Sequence, residues 1–156
     1  MLSIEPNFSI NLKNKSTEVR KIMKPKFHHI NLSTKNVKEM QKFYKKILFL
    51  ENEEIDIPKL EKGKAYDGDV EFMTDSKIQT HLAEIDNDLC FKTGLEINPL
   101  SKGHFAYRVD DLNKFKKHLE LNKIKYSDWG ETAVSGWQQI FFHDPDGNII
   151  EVHQKK

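Results

Sequence analysis

Apolar and polar positions alternate over residues 29–34, then give way to apolar residues at helical spacing up to residue 47. The same sequence of patterns returns over residues 104–122. At a constant offset His29 matches His104, Ile30 matches Phe105, Leu32 matches Tyr107 and Asn36 matches Asp111. Val37 then matches Leu112, Met40 matches Phe115 and Tyr44 matches Leu119. Each copy predicts a strand, a capping Asn or Asp, and an amphipathic helix. Asn36 followed by Glu39 also has the spacing of a capping box, with Asn in place of Ser or Thr.

Further strands are predicted over 48–56, 67–75 and 77–85 in the first half, and over 124–128, 137–143 and 148–154 in the second. "DPDGN" between the last two is a turn: Pro145 presets one dihedral and Gly147 is free to take positive φ. Each half is then strand, helix and three strands. The expected fold class is α+β, built from two repeated βαβββ modules at about 26–85 and 103–154. Residues 86–102 join the modules and have no counterpart in the repeat. Residues 1–24 lie outside it and are expected to be a loosely attached arm or a partner-binding segment, leaving 25–156 as one domain.

Strand parity turns this repeat into a candidate site. Ile30 and Leu32 share the parity that packs on the following helix, so His29, Asn31 and Ser33 face the other, concave side. In the second copy Phe105, Tyr107 and Val109 pack, while His104, Ala106 and Arg108 face the concavity. Over 77–85 the inward set is Gln79, His81 and Ala83; over 148–154 it is Glu151 and His153, with Ile150 and Val152 packed. His81 and Glu151 hold equivalent places in their halves. His29, His81, His104 and Glu151 therefore form two pairs related by the repeat, a nitrogen-and-oxygen donor set suited to Zn, Fe, Ni, Mn or Co. Taken singly, each is more often a packed or solvated strand residue; it is their recurrence that points to a metal.

Trp137 and Phe141 share the cavity parity as apolar walls, with core packing as the competing reading. Asn31 and Arg108 are counted with them as substrate-binding; for Arg108 a surface salt bridge competes with holding a substrate carboxylate. Glu84 has the opposite parity to His81 and stays outside. His28 is expected on the helix side or the sheet edge, and His118 on an exposed helix face. His143 and His153 are expected to be exposed at strand ends, with support of a ligand as the competing role. Cys90 has no basic neighbour to activate it as a nucleophile.

Composition adds mainly exclusions. The chain has 156 residues, one domain's length, and 25 Lys plus Arg against 24 Asp plus Glu, so charge gives no case for nucleic acid or an anionic membrane. One cysteine excludes an internal disulfide and fits a reducing compartment. No apolar run is long enough to span a bilayer, and the amino-terminal stretch lacks the apolar core of a secretory signal. The expectation is a cytoplasmic protein with a small-molecule substrate.

"FHHINLSTKNVKEMQKFYKKIL", "GHFAYRVDDLNKFKKHLE" and "FFHDPDGNIIEVHQ" resemble the vicinal oxygen chelate superfamily, in particular its glyoxalase I-like and bleomycin-resistance-like members. The resemblance implies a cup-shaped mixed sheet around a metal, with ligands on the first and last strands of each module, and a possible homodimer. It implies a metal-dependent lyase or isomerase acting on a thiol adduct of a 2-oxoaldehyde. There the metal binds adjacent substrate oxygens and Glu151 serves as catalytic base. Two departures stand out. Phe49 occupies the place of a glycine after the first helix, and His81 replaces the second carboxylate of the glyoxalase donor set. The alternatives are an Fe(II) ring-cleaving dioxygenase using two His and one carboxylate, a non-catalytic drug-binding resistance protein, and a fosfomycin-modifying enzyme. Asn31 in place of the latter's Thr, and the short stretch after Glu151, count against the last.

Overall fold

The computed structural model describes residues 24–156. Apart from Lys24, the arm expected over 1–24 lies outside the described residues. Strand β1 (Lys26–Thr34) leads through the Asn36 cap into α1 (Val37–Leu48), followed by β2 (Glu51–Asn52), β3 (Lys59–Leu60), β4 (Val70–Thr74) and β5 (Gln79–Glu84). A short helix α2 (Leu89–Thr93) stands in the joining segment. The second module runs β6 (His104–Arg108), α3 (Leu112–Leu121), β7 (Ser127–Gly130), β8 (Val134–Ser135), β9 (Trp137–His143) and β10 (Ile149–Lys155).

Eight strands form one mixed sheet in the order β2-β4-β5-β1-β6-β10-β9-β7, so each module supplies four neighbouring strands. The modules join where β1 and β6 pair antiparallel, with His29 opposite Ala106 and Asn31 opposite His104. Since His29 and Asn31 are the repeat counterparts of His104 and Ala106, the two halves meet about an approximate twofold at this pairing. The parallel pairings β1–β5 and β6–β10 repeat the relation: Asn31 lies beside His81, and Ala106 beside Glu151. The predicted equivalence of His81 and Glu151 is thus observed in the register.

Local chemistry accounts for the helices. Asn36 Oδ1 accepts from the Glu39 amide at 3.0 Å, and Asp111 Oδ1 accepts from the Lys114 amide at 2.9 Å. The capping box is half formed, because the Asn36 amide donates to Thr34 Oγ1 rather than to Glu39. Phe49 ends α1 with φ 57°, a left-handed conformation that favours glycine, and its ring is 83% exposed. Helix α1 packs Val37 on Met73 and Leu82, while α3 packs Leu112, Phe115 and Leu119 on Ile140 and Val152.

Several expectations need correction. The strand expected over 48–56 shrinks to Glu51–Asn52, because the acid-rich remainder forms a loop that folds back over the sheet. The strand expected over 124–128 starts only at Ser127, and the pair β3 and β8, bonded to each other, was not foreseen. Phe105 keeps its predicted face but is largely exposed rather than packed. No helix among the described residues is long and apolar enough to cross a membrane.

Candidate metal centre

The concave face of the sheet carries a cavity of about 80 Å³, floored by His29, His81, His104, Glu151, Gln139 and Asn31. Its walls are mostly aromatic and aliphatic, among them Trp137 and Phe141. Leu60 and Val134, from the β3–β8 pair, also line it. Among the described residues no Lys or Arg side chain lines it.

Nitrogens of His29 and His104 and an oxygen of Glu151 all lie within 4.8 Å of one another, and all three side chains are buried. Glu151 is 1% exposed, and its Oε2 is 3.0 Å from His104 Nε2 and 3.7 Å from His29 Nε2. Metal–ligand bonds of 2.0–2.2 Å imply neighbouring donors about 3.0 Å apart in an octahedron and about 3.4 Å in a tetrahedron. The separations of Glu151 from the two imidazoles are close to those a first-row divalent ion requires.

Hydrogen-bond partners assign the free lone pairs. His104 Nδ1 donates to the Pro99 carbonyl at 2.9 Å, leaving Nε2 as the inward atom. His29 Nδ1 meets His28 Nδ1 at 2.9 Å, and His28 Nε2 faces the Asp56 carboxylate at 3.2 Å. A neutral His28 keeps its proton on Nε2 beside that carboxylate, so His29 donates from Nδ1 and Nε2 is bare. Two bare imidazole nitrogens and an anionic oxygen then point at one another, an arrangement that a shared cation satisfies. The donor set fits a divalent metal.

Electrostatics agree with this assignment. Burial holds the His29 imidazole well below its ordinary range, aided by the neighbouring His81. Burial also lowers His81 to about 3 and, with the Arg108 charge, His28 to about 4. For Glu151 burial alone would raise the carboxyl. The hydrogen bond donated by His153 outweighs it and holds the group well below the usual carboxylate range.

His81 stands beside this group rather than within it. Its ring stacks on His29 with centroids 3.7 Å apart, and its Nε2 is engaged by Gln79 Oε1 at 2.8 Å. Arg108 has turned behind Trp137, its guanidinium 4.7 Å from the indole centre and bonded to Asp56, so it does not reach the cavity. His153 is fully buried rather than exposed, with Nδ1 2.8 Å from Glu151 Oε1 and its ring stacked on Trp137. His28 was expected on the helix side or sheet edge. It instead meets His29, His153 and Trp137, because β1 bulges between Phe27 and His29 and carries one extra residue against β6. Gln139, which donates to Glu151 Oε1 at 3.0 Å, and Asp56 were not singled out as site residues. Only the parity of Gln139 with Trp137 and Phe141 signalled its place; a residue in an irregular loop carries no such signal.

A cup-shaped sheet of two βαβββ modules with a buried His–His–Glu group at its centre defines the class. Residues 26–152 match the model of the Glyoxalase/Bleomycin resistance protein/Dioxygenase superfamily, and the chain belongs to that superfamily. Solved structures share the fold. A hypothetical protein of Bacillus halodurans is 18% identical with a TM-score of 0.62, the match covering 85% of this chain and 95% of that one. Methylmalonyl-CoA epimerase of Mycobacterium tuberculosis is 13% identical with a TM-score of 0.61, covering 86% and 90%. A superfamily member of Vibrio splendidus is 15% identical with a TM-score of 0.54, covering 84% and 99%. No curated protein matches the chain.

Proposed function

We propose that this protein is a metal-dependent lyase or isomerase of the glyoxalase type, acting on a compact substrate that presents two adjacent oxygens. The observation that carries the reading is the convergence of His29 Nε2, His104 Nε2 and Glu151 Oε2 at the floor of a largely apolar cavity. A divalent ion held there supplies Lewis-acid stabilisation of the negative charge that develops on the substrate oxygens as a C–H proton leaves. With three protein donors, coordination positions stay open for both oxygens.

The residues around the donors define the rest. Glu151 is the proposed proton acceptor: the hydrogen bond from His153 keeps it anionic, and loosening it leaves burial to raise its basicity. His81, neutral throughout the physiological range, borders the substrate space, as does Asn31, whose buried amide nitrogen has no partner among the described residues. Trp137 and Phe141 exclude water. A cavity of about 80 Å³ is well below the roughly 300 Å³ of a drug-sized site, so a small oxo or hydroxy compound suits it better than a tripeptide thiol adduct.

The donor arithmetic favours a second reading. Two imidazoles and one carboxylate, with His81 outside the set, match the arrangement used by Fe(II) oxygenases, and an aromatic-walled cavity suits a catechol. One experiment separates the two. Protein reconstituted with Zn, Ni, Co, Mn or Fe(II) is incubated in deuterium oxide with small 2-oxo and 2-hydroxy compounds and with 2-oxoaldehyde–thiol adducts, and oxygen uptake is followed with catechols. Deuterium incorporation or isomerisation supports the first reading, oxygen-dependent ring opening the second. No turnover with any metal refutes both and leaves a binding protein.

A further inference from the structure

Asp56 lies in the loop between β2 and β3, outside the cavity, yet hydrogen-bonded routes run from it to three residues of the cavity floor. The first passes through His28. A carboxylate only accepts, so His28 donates from Nε2 to Asp56 Oδ2 and accepts at Nδ1 from His29. The His29 proton is thereby kept on the ring edge away from Glu151, and Nε2 stays bare.

The second route passes through Arg108, which donates from Nη1 to Asp56 Oδ2 and from Nε to His153 Nε2 at 3.0 Å. A guanidinium cannot accept, so the His153 proton sits on Nδ1 and is donated to Glu151 Oε1. Gln139 donates to the same oxygen. Oε1 is thus saturated by two donors, and Oε2 alone faces the imidazoles.

The third route starts at the Asp56 backbone carbonyl, which accepts from Gln79 Nε2 at 3.1 Å. That contact orients the Gln79 amide so that its Oε1 takes the His81 Nε2 proton. His81 Nε2 is thereby turned out of the donor group.

We propose that Asp56 is a positioning residue for the metal centre: its side chain keeps His29 Nε2 bare and holds Glu151 to a single inward oxygen, so that the donor set is formed before the metal arrives. The inference rests on the metal-binding reading above. Lys155 also bonds Asp56, through Oδ1 at 2.7 Å, but leads to no residue of the centre and serves as the control.

The test is a cobalt(II) titration of the full-length, metal-free protein, followed by visible absorption, with thermal melting of each metal-free variant to establish folding. Asp56→Asn is expected to weaken cobalt affinity about ten- to hundredfold, the usual effect of losing a ligand's hydrogen-bond partner, and to alter the cobalt absorption bands. Arg108→Met, which cuts one route, is expected to lose less. Lys155→Met is expected to keep the wild-type affinity and spectrum. The proposal is overturned if folded Asp56→Asn binds cobalt as the wild type does, or if Lys155→Met loses as much. Should Asp56→Asn not fold, wild-type affinity and spectrum in Arg108→Met overturn it instead. Failure of the wild type to bind cobalt is a separate result, which removes the metal reading itself.

Discussion

Acidifying the metal-free protein from pH 7 to pH 5 should unfold it far more readily than a change of two pH units usually does. His28 and His81 stay neutral in the folded chain, with proton affinities lowered to about 4 and about 3, whereas both titrate near 6.5 once unfolded. Between those values the unfolded state binds more protons, so stability falls as pH falls. The loss begins at the unfolded value and continues down to the folded one. At pH 5 each imidazole accounts for about 2 kcal/mol, and His29, lowered by burial in the same direction, adds to them. Asp56 and Glu151 are also held below their ordinary range, but carboxyls titrate lower than imidazoles, so their stabilisation persists until pH falls below about 4. A loss of several kcal/mol is a large part of the roughly 5–15 kcal/mol of an ordinary domain. Urea unfolding at pH 7, 6 and 5 with a chelator present measures it. A midpoint that does not move between pH 7 and 5 refutes the reasoning, because it means that the buried imidazoles protonate without cost.

Gly103→Ala should destabilise by about 2 kcal/mol or more, since φ is 91° and a Cβ would come within 2.2 Å of the Asn31 carbonyl oxygen where β1 meets β6. Chemical denaturation checks it. Leu82→Ala, at a fully buried position between β5 and α1, should cost about 2–5 kcal/mol while leaving metal stoichiometry unchanged. Asn36→Ala should cost about 1 kcal/mol by removing the cap of α1, and a thermal melt that does not shift would contradict the capping assignment. Gln139→Leu removes one of the two donors to Glu151 Oε1 and should weaken metal binding measurably in a competition titration; unchanged binding would show that His153 alone holds the carboxylate.

The architecture was legible because it is repeated. Two copies of one strand-and-helix pattern supply independent registers, and parity with the packed Ile30, Leu32, Ile150 and Val152 assigns His29, His104 and Glu151 to one face. The β1–β6 and β6–β10 pairings place them so. What escaped the pattern are departures from regular alternation. The bulge at His28 adds a residue that no period-two reading contains, and it turns an expected edge histidine inward. The loop carrying Asp56 obeys no periodicity at all, so its reach to Arg108, His28 and Lys155 could not be read from residue spacing. His153 has the right parity, and it is buried because the strand continues to Lys155, paired with Trp137. Parity sorts faces without fixing ring orientation, and the Gln79 contact that turns His81 Nε2 aside is a matter of orientation.

The most direct measurement is the divalent-metal content of purified protein alongside four alanine variants, by elemental analysis after dialysis against zinc. One metal per chain in the wild type, retained in His81→Ala and lost in His29→Ala, His104→Ala and Glu151→Ala, is the predicted result. Metal content unchanged in folded His104→Ala, or none in the wild type, contradicts a centre built on these three donors.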